Sequence, residues 1–196
     1  MISGLSKNAR GDHFSFSPQE DDVMRTIRLV LDWSQRDTVV RVAGGWVRDK
    51  LLGKSSHDLD LVVDDLSGVE FAELVNTYLH EVKREHVSRI GVIERRPEQS
   101  KHLETASFRV HDQEGKLNMK NLLSLAVLSF SEVDVNQLRS ESYADHSRIP
   151  VVDAGTPLED AKRRDLTINS LFYNVNTDEI EDFDGRVSSF APLKPL

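Results

Sequence analysis

The stretch that decides the fold is His57-Asp58-Leu59-Asp60-Leu61-Val62-Val63, twelve residues after the pair Gly44-Gly45. Side chains alternate across a β-strand. Asp58, Asp60 and Val62 therefore share one face of a strand over 57–63, and Leu59, Leu61 and Val63 share the other. The apolar face anchors the strand and holds the acid face rigidly. Two carboxylates pointing the same way repel unless a cation lies between them. Oxygen donors in that arrangement suit magnesium. Alone, an acid-x-acid strand is more often a solvated surface.

Upstream, Val39-Val40-Arg41-Val42-Ala43 reads as a strand that ends at Gly44-Gly45, and Trp46 to Leu52 reads as a short helix stopping at Gly53. Two glycines between strand and helix let backbone approach a ligand closely. Helix-start N–H groups suit phosphate, and Arg48 adds a bidentate donor. A lone Gly-Gly is more often a tight turn. A helix fits about 20–36, where Val23, Ile27, Val30 and Leu31 recur at helical spacing. A second fits 68–80, started by the capping box Ser67-x-x-Glu70.

Further strands are predicted at 103–110 and 130–135. Thr156-Pro157-Leu158-Glu159 begins a third long helix whose apolar stripe runs Leu158, Ala161, Ile168 and Phe172. Asp165 falls on that stripe, in Arg163-Arg164-Asp165, where it would be costly unless an arginine or a glycine-loop amide partners it. Phe172–Val175 and Glu179–Phe183 flank a hairpin turn. Alternating helices and strands give the α/β class, mixed α+β, with a small mixed sheet flanked by helices.

The bounds fit this reading. The chain has 196 residues, 38% hydrophobic and 30% charged, enough for one domain with a sizeable core. No cysteine is present, which excludes disulfide scaffolds, thiolate zinc sites and cysteine nucleophiles. No apolar run nears the ~20 residues of a membrane helix. The net charge of −8 lacks the basic bias of a nucleic-acid-binding domain, although a metal-dependent nucleotide enzyme needs carboxylates. Residues 1–19 read as a flexible tail without a secretory signal's apolar core, and residues 187–196 as an irregular tail.

Three segments in this order, Gly-Gly-Trp-Val-Arg-Asp (44–49), His-Asp-Leu-Asp-Leu-Val-Val (57–63) and Arg-Arg-Asp-Leu-Thr-Ile-Asn-Ser-Leu (163–171), resemble the head domain of class II tRNA nucleotidyltransferases. That family comprises the CCA-adding enzymes and the bacterial-type poly(A) polymerases. Ser100–Ala106, Leu138–Tyr143, Ser147–Pro150, Gly155–Pro157 and Glu181–Phe183 look like its eukaryotic CCA-adding branch.

The resemblance implies a polymerase-β-like head over 20–186, with Asp58, Asp60 and Asp134 as catalytic metal ligands for Mg2+. It implies two-metal transfer of CMP and AMP from CTP and ATP to the tRNA 3′ end. Gly44, Gly45, Arg48 and Arg164 match nucleotide-contacting positions, while Asp165 and Asn169 hold the loop and sugar side of the site. It implies an intracellular protein of cytoplasm, nucleus or mitochondrion. Two departures stand against the family pattern. Residues 111–129, with the apolar run 122–128, interrupt it; they read either as an insertion at a hairpin tip or as translated intron sequence. After Asp184-Gly185-Arg186 the family's Glu-Asp-x-x-Arg template motif does not follow, so neck, body and tail domains are expected to be missing. The alternatives are a non-catalytic nucleotide-binding fragment and a poly(A)-adding sibling.

Overall fold

The computed structural model describes residues 5–7, 13–56, 58–83, 90–93, 105–108, 132–143 and 150–185. The interrupting segment 111–129 and most of Ser100–Ala106 lie outside them. The elements run β1 (Leu5–Lys7), β2 (His13–Ser15), α1 (Pro18–Ser34), β3 (Val40–Ala43), α2 (Gly45–Leu51), β4 (Asp58–Val63), α3 (Gly68–Glu81), β5 (Ile90–Ile93), β6 (Thr105–Phe108), β7 (Glu132–Gln137), β8 (Arg139–Tyr143), β9 (Pro150–Ala154), α4 (Pro157–Lys162), a 3₁₀ turn (Thr167–Asn169), β10 (Phe172–Asn174) and β11 (Glu179–Glu181).

Among the described residues the main sheet has nine strands in the order β2-β1-β11-β10-β3-β4-β7-β6-β5, and β8-β9 form a separate ribbon. The main sheet is mixed: β4 pairs with β7, and β1 with β11, in parallel, and the other pairs are antiparallel. It is wider than expected, because the N-terminal segment contributes two strands to one edge. Of the segment expected as a flexible tail over 1–19, residues 5–7 and 13–15 are strands, while 1–4 and 8–12 lie outside the described residues. A Ser17-x-x-Glu20 capping box with Pro18 in the first turn also starts α1 two residues before the expected position, a signal the periodicity count overlooked.

The two faces of the sheet are covered differently. Leu59, Leu61 and Val63 of β4, with Val133 and Val135 of β7 and Val40 and Val42 of β3, join Val23, Met24, Ile27 and Leu31 of α1 and Phe71 of α3 in one core. Burying each such side chain contributes about 1.5–3 kcal/mol. The opposite face holds a smaller cluster of Ala43, Val62, Leu138, Ala161 and Phe172, so α4 roofs only part of it. Asp58 and Asp60 lie beyond that roof and are exposed, while Val62 on the same face is buried.

The helix from Thr156 is shorter than predicted. Its capping box and first-turn proline are as read, but it ends at Lys162, and Phe172 begins a strand. Asp165 is consequently not on a buried stripe. It is exposed, and its Oδ1 accepts the Leu166 amide at 2.8 Å, a local turn bond. The arginines partner Asp160 instead.

Candidate active site

The parallel ladder between β4 and β7 sets Asp60 opposite Asp134, and Asp58 opposite Glu132. The antiparallel ladder with β3 sets Asp60 opposite Ala43, the residue before Gly44. Register partners share a sheet face. Asp58, Asp60 and Asp134 therefore stand on one face, at the sheet end where the glycine turn begins. Among the described residues no three His, Asp or Glu side chains are gathered tightly enough to enclose a metal ion. The donor set is nonetheless the right chemistry for a hard divalent cation: carboxylate oxygens, two of them exposed, on adjacent rigid strands.

The glycine turn is built around two guanidinium groups. Gly44 has φ +73° and ψ −129°, a conformation that L side chains rarely adopt, and its amide donates to the Leu171 carbonyl at 3.3 Å. A Cβ at Gly44 would lie 3.0 Å from Arg164 Nη1, and a Cβ at Gly45 3.4 Å from Arg48 Nη2. The absent side chains thus leave room for the arginine tips. Arg48 donates through Nε to Asp49 Oδ1 at 2.9 Å and through Nη1 to Asn169 Oδ1 at 3.0 Å. The hydrogen bond and charge of Asp49 push the Arg48 pKa above its ordinary value, keeping it cationic. The Arg164 guanidinium stacks 5.2 Å from the Phe172 ring.

Of the predicted site residues, Gly44, Gly45, Arg48, Arg164 and Asn169 are brought together, and Asp58, Asp60 and Asp134 share the neighbouring face. Asp165 makes none of these contacts. The residue that sequence reasoning missed is Asp160, fully buried and bonded to Arg163 and Arg164. Its signal was its place, three and four residues before the arginines, where helical side chains meet.

The strand carboxylates and the glycine-arginine turn thus adjoin at one end of the sheet. The family model described as "Poly A polymerase head domain" matches residues 40–189, and the chain belongs to that family. It is 45% identical over 163 residues to "CCA tRNA nucleotidyltransferase, mitochondrial" of Candida glabrata, covering 80% of this chain and 27% of that protein. It is 44% identical over 154 residues to the protein of the same name in Saccharomyces cerevisiae, covering 75% of this chain and 24% of that one. Among solved structures, an apo form of a CCA-adding enzyme superposes with a TM-score of 0.59 at 25% identity, over 87% of this chain and 33% of the other. The chain spans about a quarter of the length of these two curated relatives.

Proposed function

We propose that this chain is the catalytic head of a CCA-adding tRNA nucleotidyltransferase, transferring CMP and AMP from CTP and ATP to the 3′-hydroxyl of tRNA. The observation that carries the reading is the Asp58-x-Asp60 pair with Asp134 in register beside it, adjoining the glycine-arginine turn. The fungal relatives named CCA tRNA nucleotidyltransferases support the choice of reaction. Asp58, Asp60 and Asp134 would hold Mg2+. Divalent ions in such a site neutralise developing phosphoryl charge and favour the nucleophilic form of the hydroxyl.

The chain's own residues do the rest. The carboxylates fix where the reacting hydroxyl and phosphate meet. Arg48, steadied by Asp49 and Asn169, and Arg164, lying over Phe172, present charged donors toward the triphosphate at the glycine turn. Gly44 and Gly45 keep that turn free of side chains, so phosphate oxygens can approach the backbone. The mitochondrial naming of both relatives supports an intracellular, mitochondrial location, which cell fractionation tests.

The test is incorporation of labelled CTP and ATP into tRNA lacking its terminal CCA, by the purified chain with and without the remaining domains of a fungal relative. The expected product is tRNA extended by C, C and A, only with a divalent ion. A homopolymer of A on any RNA would favour the poly(A)-adding sibling. No incorporation and no CTP binding under either condition would leave a non-catalytic fragment.

A further inference from the structure

The Asp160 carboxylate is buried completely, on a helix that covers the acid-bearing face of the sheet. Each of its oxygens takes more than one donor. Oδ1 accepts the Arg139 backbone amide at 3.2 Å and Arg163 Nε at 2.8 Å. Oδ2 accepts Arg164 Nε at 3.0 Å and Nη2 at 2.7 Å. A buried carboxylate is tolerated only when it is saturated in this way.

The two arginines use Asp160 differently. Arg163 is tied at both ends, because its Nη2 also lies 2.6 Å from Asp160 Oδ1 and its Nη1 reaches Glu141 Oε1 on β8 at 3.4 Å. Arg164 gives Asp160 the Nε and Nη2 edge of its guanidinium. That leaves Nη1 as the edge turned toward Gly44, 3.0 Å from where a Cβ would stand. Phe172 supports the flat face of the same group. A planar guanidinium held along one edge and one face has its remaining edge fixed in direction.

We propose that Asp160 is a positioning residue for nucleotide binding: it orients Arg164, and not Arg163, so that Nη1 points at the triphosphate over the Gly44 turn. Arg163 serves instead as a tie between α4 and β8. The proposal rests on the nucleotide-site reading above and adds to it which arginine acts and what aims it.

The test is a double-mutant cycle on the affinity of the full chain for CTP with Mg2+, measured by titration calorimetry. Arg164→Ala should weaken CTP binding about tenfold, on the scale of a charge-assisted hydrogen bond to a charged group. Asp160→Asn should weaken it comparably, and the double variant no more than Arg164→Ala alone, because both changes remove one aimed donor. Arg163→Ala should leave the affinity within about twofold. Affinity for Mn2+ alone, read at the Asp58–Asp60 pair, should be unchanged in Asp160→Asn, whereas general loosening of the fold would lower it. If Arg164→Ala leaves CTP binding intact, the nucleotide-site reading of Arg164 fails. If Arg164→Ala weakens binding but Asp160→Asn does not, or the two effects multiply, the positioning role is overturned while the site stands. Should Asp160→Asn not fold, the wild-type chain decides by NMR of its arginine Nε–H signals. CTP should then shift the Arg164 signal and leave that of Arg163, and the reverse result overturns the proposal.

Discussion

Asp60 and Asp134 are direct register partners across the parallel β4–β7 ladder, although 74 positions separate them in the sequence. On the proposed metal-site reading this pair and Asp58, two residues before Asp60 on the same strand face, act together. Asp58→Ala and Asp60→Ala should lower metal-dependent nucleotide incorporation by roughly 10³-fold or more, the scale of several kcal/mol of transition-state charge stabilisation. Both residues are exposed, so the melting temperature should hardly move. Primer extension paired with a thermal melt checks this, and activity that survives both substitutions defeats the metal-site assignment.

The glycines should separate by mechanism. Gly53→Ala meets only the backbone cost of a positive φ, since no atom lies within 4 Å of the new Cβ. That cost is about 1 kcal/mol. Gly155→Ala would drive Cβ to 2.5 Å from Arg139 C and Ser140 N, which are main-chain atoms that cannot swing aside. A loss of about 3 kcal/mol is expected. Gly44→Ala combines a positive φ with contact against the Arg164 tip, and should lose about 1–3 kcal/mol together with CTP affinity. Urea denaturation of the three variants gives the order, and a Gly155→Ala protein as stable as Gly53→Ala contradicts it.

Local signals carried much of this structure into the sequence. The alternation over 57–63 fixed which side of β4 is core, and the Ser67 and Thr156 capping boxes marked two helix starts. What stayed hidden depends on distant residues. The exposure of Asp165 follows from a helix that stops at Lys162, where the 3.6-residue pattern continues in letters but the chain turns. The burial of Asp160 follows from packing against Leu138, Arg139 and the β8 strand, none of which its own neighbourhood announces. The two N-terminal strands, of which β2 forms the edge, have three residues each, too few to show an alternating pattern.

Asp64 should give stability an unusual pH slope. Burial pushes its carboxyl above the ordinary value of 3.8, and the Arg41 guanidinium offsets this only in part. A carboxyl with a raised folded-state pKa holds its proton better when folded. Its contribution is therefore fully present below the unfolded pKa and is lost as pH rises through the folded one. The capping carboxylates Glu70 and Glu159 behave oppositely, because the amides of Ser67 and Thr156 hold them below the usual range. They are common to both proteins and cancel in a comparison. The stability of wild type relative to Asp64→Asn should thus fall as pH rises above the ordinary carboxyl value of about 4, and denaturation at several pH values tests the sign. A difference that grows with pH would show that the Arg41 pairing outweighs burial.

Glu20 should prove the costliest carboxylate of α1 to remove. It is buried, and its Oε2 accepts the Ser17 amide at 2.7 Å and Lys50 Nζ at 2.6 Å. Its Oε1 accepts Trp46 Nε1 at 3.0 Å. One side chain therefore closes the first turn of α1 and fastens α2, the helix that carries Arg48. Glu20→Ala leaves a buried indole N–H and a largely buried ammonium without their acceptor, so about 3 kcal/mol should be lost. Glu20→Gln keeps an oxygen for Trp46 but sets an NH2 donor against the Ser17 amide and Lys50 Nζ, so a loss of about 2–3 kcal/mol is expected. Asp21→Ala, on the same turn without those partners, serves as the control and should stay within about 0.5 kcal/mol. Equal midpoints in urea for Glu20→Ala and Asp21→Ala would mean that Glu20 contributes nothing beyond an ordinary first-turn acid. The expected separation would show α2 held from below by α1 and leave Arg48 on a rigid support.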